Sequence, residues 1–290
     1  MLKFLKFIFI LIAFYSYPQN KSYKVIYDEI YPLLSSDYPK AKEIWLKMEK
    51  TSKLIDPVEM ELILGYSLKN NDIKFFKKRI VFLMKNYGWN YNQNIDTLFL
   101  NIENNFLKNN IKKSNLNNWI SIKSNKIHSK WKKNHPLNSF FIERVSQLKF
   151  CDQEITKILA DNNGNEEARV ILDSFIYSID YNHILEIVKL CKLNNNVLLN
   201  NFDCGVGTYN KVNLILWHNL KSKINFQRSW DQLLPFIENA YFQNKISYTI
   251  FMAYDKWCNY HFENQYYGTL EGVKIKDLET FNERKKKYNL

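Results

Sequence analysis

Apolar positions recur at helical spacing along most of the chain. Val25, Ile26, Ile30 and Leu33 share one stripe; Ile44, Trp45 and Met48 another; Met60, Leu62, Ile63 and Tyr66 a third; Ile73, Phe76, Ile80, Leu83 and Met84 a fourth. Recurrence at i, i+3 and i+4 places side chains on one face of a helix with 3.6 residues per turn. Start and stop signals bracket these stripes. Asp37 and Asp72 stand as N-caps, Asp56-Pro57 opens the third stripe, and Asn70-Asn71 and Asn86-Tyr87-Gly88 close the third and fourth.

The openings at Asp37 and Asp72 lie 35 residues apart, each leads a helix of similar length, and a second helix lies between them. Over residues 22–88 this layout resembles tetratricopeptide-type helical repeats. The resemblance implies an array of helical hairpins that binds another chain along a concave face. The pattern continues through Ile95, Leu98, Phe99, Ile102 and Phe106. Lys123, Lys126, Lys130 and Lys133 then form a stripe opposite Ile120, Ile127 and Trp131, either a solvated face or a docking surface for an acidic partner. His135-Pro136 breaks the pattern. The sequence therefore predicts a helical hairpin or repeat-like domain over 20–136 and a compact helical domain over 137–290. Residues 265–276, with Gly268 and Gly272, read as a small irregular or hairpin excursion near the C-terminus. The predicted class is all-α, and the scarcity of glycine (7) and proline (6) in 290 residues argues against a sandwich or barrel.

Residues 1–19 differ from the rest. Lys3 and Lys6 precede an unbroken apolar run over 7–15, and residues 16–20 turn polar. This is the layout of a secretory signal peptide, and the run is too short to span a bilayer. The chain is expected to be exported to the periplasm or cell envelope, with no transmembrane span in the mature part. Export permits disulfides among Cys151, Cys191, Cys204 and Cys258, but no pairing follows from spacing, and Cys191 reads as a buried thiol beside Ile184, Ile187 and Leu190. The net charge of +12 does not indicate nucleic acid, because lysine and asparagine are spread along the chain instead of gathered into one patch.

Chemistry-bearing residues concentrate in the C-terminal half. In order they are Cys151-Asp152-Gln153; Asp180-Tyr181-Asn182-His183 with Leu185, Ile187 and Val188; Leu216-Trp217-His218; Phe226-Gln227; Leu233-Leu234-Pro235; Tyr254-Asp255; Tyr267-Gly268-Thr269; and Asn282-Glu283-Arg284-Lys285. This succession resembles a bacterial domain family catalogued only as a domain of unknown function. Trp217, Lys256 and Asn282 depart from the glutamine, arginine and aspartate of that pattern. The resemblance implies a shared fold and no activity.

Two roles are open to the polar members. They either tie helices together, or line a pocket with His218 as acid or base and Asp152 or Asp180 orienting it. In the second role Asn182, Asp255, Tyr267 and Thr269 are candidate ligand contacts. Cys258 and His261 have ligand-like spacing but follow Ile250, Phe251 and Tyr254 around a helix, so no metal is assigned. Gly205 and Gly207 lack the third glycine of a dinucleotide loop, so no cofactor is assigned either. The sequence thus points to an exported protein-interaction or binding module with an unidentified protein partner. The alternative is an envelope hydrolase-like or small-ligand-binding enzyme centred on His218.

Overall fold

A computed structural model describes residues 25–51, 55–100, 115–161 and 166–290. The leader expected over 1–19 and the helix positions Ile102 and Phe106 lie outside them. The described residues are all-α, with a π-helical turn Val25–Ile30, thirteen α-helices and no strand. The chain divides into two compact units. One holds the described residues up to Ile142 with Asn200–Gly207 and Gln243–Lys245; the other holds Glu143–Leu199, Thr208–Phe242 and Ile246–Leu290.

The first unit contains α1 (Tyr31–Leu34), α2 (Tyr38–Thr51), α3 (Pro57–Lys69), α4 (Ile73–Asn86), α5 (Tyr91–Leu100), α6 (Asn115–Asn134) and α9 (Asn201–Cys204). The aspartate caps form as their positions predict. Asp37 accepts from Lys40 N, Asp56 from Val58 N and Asp72 from Phe75 N. Asp72 also accepts from Tyr38 Oη at 3.1 Å and Lys42 Nζ at 2.5 Å, so the cap of α4 is tied to α2. Trp45, Ile63, Leu64, Phe76, Leu83 and Trp89 are buried together as the core. Gly88 must be glycine, because its φ is +64° and a Cβ would sit 2.7 Å from the Trp131 ring.

The second unit contains most of α7 (Pro136–Asp161), then α8 (Glu166–Leu193), α10 (Thr208–Lys221), α11 (Phe226–Phe242), α12 (Thr249–Phe262) and α13 (Leu278–Tyr288). Its core runs from Ile184, Ile187 and Cys191 through Ile215 and Leu216 to Trp230, Ile237, Phe251 and Tyr267. The four cysteines are free thiols, and burial pushes that of Cys191 up to about 12. The excursion between α12 and α13 is irregular, with one isolated bridge between Gln265 and Ile275. No helix among the described residues is long and apolar enough to cross a membrane.

Candidate functional site

Three helices of the second unit bring four titratable side chains together. Asp152 comes from α7, Asp180 and His183 from α8, and His218 from the last turn of α10. His218 Nδ1 donates to Asp152 Oδ2 at 2.8 Å. The bond fixes the tautomer, so the neutral ring carries its lone pair on Nε2. The Asp152 side chain is fully buried, while that of His218 keeps 21% of its surface exposed. The bonded carboxylate holds His218 above the ordinary histidine value, against the opposing effect of burial. Burial lowers His183, and burial with the neighbouring Asp152 charge lifts Asp180 to about 6.

Satisfaction at this centre is incomplete. Asp152 Oδ1 and His183 Nδ1 are buried with no hydrogen-bond partner among the described residues. Such groups are rare in native folds and costly to keep. One donor atom from each of Asp152, Asp180 and His183 lies within 4.8 Å of the other two, which is the arrangement of a potential ligand set.

Beneath the centre lies an amide network that the sequence patterns did not single out. Buried Asn219 donates to the Asp180 carbonyl at 3.0 Å, and its Oδ1 accepts from Asn225 Nδ2 and Ser229 Oγ. Asn225 Nδ2 also donates to the Tyr177 carbonyl at 2.8 Å. The segment of α8 that carries Asp180 and His183 is therefore anchored to α10 and to the start of α11. The adjacent Trp217 packs edge-on against Trp257, with ring centroids 4.9 Å apart.

The other sequence candidates fall elsewhere. Asp255, Tyr267 and Thr269 meet one another. Asp255 Oδ1 accepts from the Tyr266 and Tyr267 amides at 2.7 and 2.8 Å; Oδ2 accepts from Thr269 N and Oγ1 at 2.9 and 2.8 Å. Gln265 is clamped to Leu270 through both ends of its amide and also donates to the Val273 carbonyl. Arg284 stacks on Tyr266 and donates to the carbonyls of Tyr266, Lys276 and Asp277. Tyr267 packs in an aromatic cluster with Trp230, Phe251 and Tyr288, and its Oη accepts from Trp230 Nε1. The Tyr-Gly-Thr and Arg284 motifs thus build the excursion. Just before α13 the Asp277 carboxylate takes the Thr280 hydroxyl and the Arg284 guanidinium.

Asn182 is exposed and lines a cavity of about 480 Å³ with Tyr177, Tyr181 and Arg228. It lies about 200° around the helix from Asp180, whereas His183 lies about 60° away. The i, i+3 spacing of Asp180 and His183 was the available signal for the residue that joins the centre. Cys258 Sγ donates to Asn264 Oδ1, and His261 Nε2 bonds the Leu220 carbonyl, so both have protein partners. In the first unit Lys123, Lys126, Lys130 and Lys133 are exposed on α6, opposite buried Ile120, Ser124, His128 and Trp131. A cavity of about 500 Å³ there is lined by Ile55, Met60, Phe82, Lys78, Arg79 and Lys85 among others, and Phe82 is 44% exposed.

No family model matches the chain, and neither a curated protein nor a solved structure does.

Proposed function

We propose that the second unit carries the working centre of a hydrolase-like or small-ligand-binding protein, with His218 as the group that takes and returns a proton. The observation that carries this reading is the 2.8 Å bond from His218 Nδ1 to the fully buried carboxylate of Asp152. The carboxylate orients the ring and stabilises its protonated form, and Nε2 is the nitrogen left for chemistry. The location of Asp180 and His183 beside the pair adds weight, since a merely structural ion pair does not require further buried titratable groups. In this reading the protein works in the cell envelope, an assignment that rests on the leader-like pattern of residues 1–19.

The test is turnover of chromogenic carboxylic and phosphoric esters by the purified chain, compared with His218→Asn. Loss of about 100-fold or more in kcat, with the melting temperature retained, is the expected result. Equal turnover by both proteins, or none by either together with a large loss of melting temperature in the variant, would assign His218 to structure.

A second reading follows from the first unit, where exposed Phe82 beside Lys78 and Lys85 offers an apolar contact with a basic rim, Arg79 of the same wall being paired with Glu49. That is suited to an acidic protein segment, and it gives the helical hairpins the interaction role suggested by their periodicity. Phe82→Glu is expected to abolish co-purification of such a partner from the native envelope, and His218→Asn to leave it intact.

A further inference from the structure

We propose that Asp152, Asp180 and His183 form a binding site for one divalent cation of the zinc or manganese class. This deepens the reading of the same centre and rests on it only for location. Three independent features converge. The first is the donor set. One imidazole and two carboxylates are ligand types for Zn²⁺ and for its first-row neighbours, whereas an all-oxygen set would suit Mg²⁺ or Ca²⁺.

The second feature is geometry. Asp180 and His183, three residues apart on α8, present donors from one helix face, and Asp152 faces them from α7. An i, i+3 carboxylate–histidine pair answered by a carboxylate from a neighbouring helix is a recurrent way to build a metal site inside helical packing. The three donor atoms are no more than 4.8 Å apart. Donors around a tetrahedral zinc ion at roughly 2.0–2.1 Å stand about 3.4 Å from one another. Closing the set therefore asks for donor movements of about an ångström.

The third feature is unsatisfied polarity. Asp152 is 1% exposed and His183 7% exposed, yet Asp152 Oδ1 and His183 Nδ1 lack partners among the described residues. A cation would satisfy carboxylate and imidazole acceptors at the same time. His218, bonded to Asp152 Oδ2, then holds a ligating carboxylate in orientation, as outer-shell hydrogen bonds commonly do around protein metals. Asn219 supports the site from below through the Asp180 carbonyl.

The experiment uses the full chain, stripped with a chelator, dialysed, and titrated calorimetrically with zinc chloride and separately with manganese chloride. About one equivalent of at least one ion is expected to bind with a Kd in the micromolar range or tighter. The double variant Asp180→Asn/His183→Gln should weaken binding by about 30-fold or more with its circular dichroism unchanged, and His218→Asn by about 10-fold. Less than about 0.2 equivalents of either ion on the wild type, or undiminished binding by the double variant, overturns the proposal. Should the double variant fail to fold, the cobalt(II) spectrum of the wild type decides. Nitrogen–oxygen coordination without thiolate charge transfer supports the site, and a thiolate band assigns the ion to cysteine instead. Ion binding without ester turnover would leave the metal site standing and remove the acid–base reading. Turnover that depends on His218 without any ion bound would do the reverse.

Discussion

Two aspartates of the second unit are equally buried and differently served. Asp255 accepts four hydrogen bonds from the segment Tyr266–Thr269, three of them from backbone amides, and neither carboxylate oxygen is left bare. Asp152 has His218 on one oxygen at 2.8 Å, with Gln153 at 3.4 Å, while the other oxygen has no partner among the described residues. The first arrangement is what a fold needs, because each donor answers an acceptor and the charge is dispersed over local dipoles. The second keeps an unanswered carboxylate oxygen in the interior beside another carboxylate and two imidazoles. A polar group that a fold tolerates without fully satisfying it is better explained by what it can bind than by what it holds together.

Breaking Asp255 should have the largest consequence. Asp255→Ala strips partners from three backbone amides and a hydroxyl, and a loss of about 4 kcal/mol is expected. Chemical denaturation of the full chain followed by circular dichroism reads it. A loss below about 1 kcal/mol would mean that Gln265 and Arg284 hold the excursion without the carboxylate. Next comes the glycine of the same turn. Gly268 has φ +76°, and a Cβ there would lie 2.4 Å from the Phe281 ring. Gly268→Ala should cost about 2–3 kcal/mol, from left-handed backbone strain and displacement of Phe281. An unchanged unfolding midpoint would show that the turn can re-form with a different backbone.

The contrast extends to a third buried carboxylate, in the first unit. Glu61 is 2% exposed, accepts from Trp89 Nε1 at 2.6 Å, and is pushed up to about 8 by burial. A raised carboxyl value means that the folded state keeps the proton after the unfolded chain has released it. Stability from this group is therefore present below the ordinary carboxylate value near pH 4.5 and is lost as pH rises toward 8. E61Q, which retains an acceptor for Trp89, should match the wild type near pH 4.5 and exceed it by on the order of 2 kcal/mol at pH 8. Melting curves across that window would show a widening gap; parallel curves would mean that Glu61 ionises freely.

The smallest effect on stability is expected where the functional claim is strongest. Asp152→Asn keeps an acceptor for the neutral His218 ring and removes a carboxylate with one unanswered oxygen, so the unfolding free energy should move by less than about 1 kcal/mol. Ester turnover should fall nevertheless, because the protonated ring loses its counter-charge. A destabilisation comparable with that of Asp255→Ala would remove the distinction between the two aspartates.

How much was legible beforehand follows from the range of the interactions. The all-α class, the caps at Asp37, Asp56 and Asp72, and the buried stripe of α4 were readable from sequence; α3 was not, because it is buried on nearly all sides, Glu59 and Glu61 included, while Leu62 and Tyr66 of its expected stripe are only half-buried. Caps and amphipathic stripes are settled within a few residues, by hydrogen bonds to the first turn and by 3.6-residue periodicity. The pairing of His218 with Asp152 is one of the two roles the sequence leaves open, because both are polar residues embedded in apolar runs. The sequence pattern points to Asn182 as a contact and not to the neighbouring His183, although three-residue spacing from Asp180 places the histidine on the same side of the helix. What only the tertiary structure decided was how the buried polar residues divide. Asp255, Tyr267, Thr269 and Arg284 close a turn, while Asp152, Asp180, His183 and His218 meet from three helices. That division depends on contacts between residues up to 66 positions apart, such as Asp152 with His218. The hydrophobic pattern constrains which face of each helix is buried, but not which polar side chains meet there.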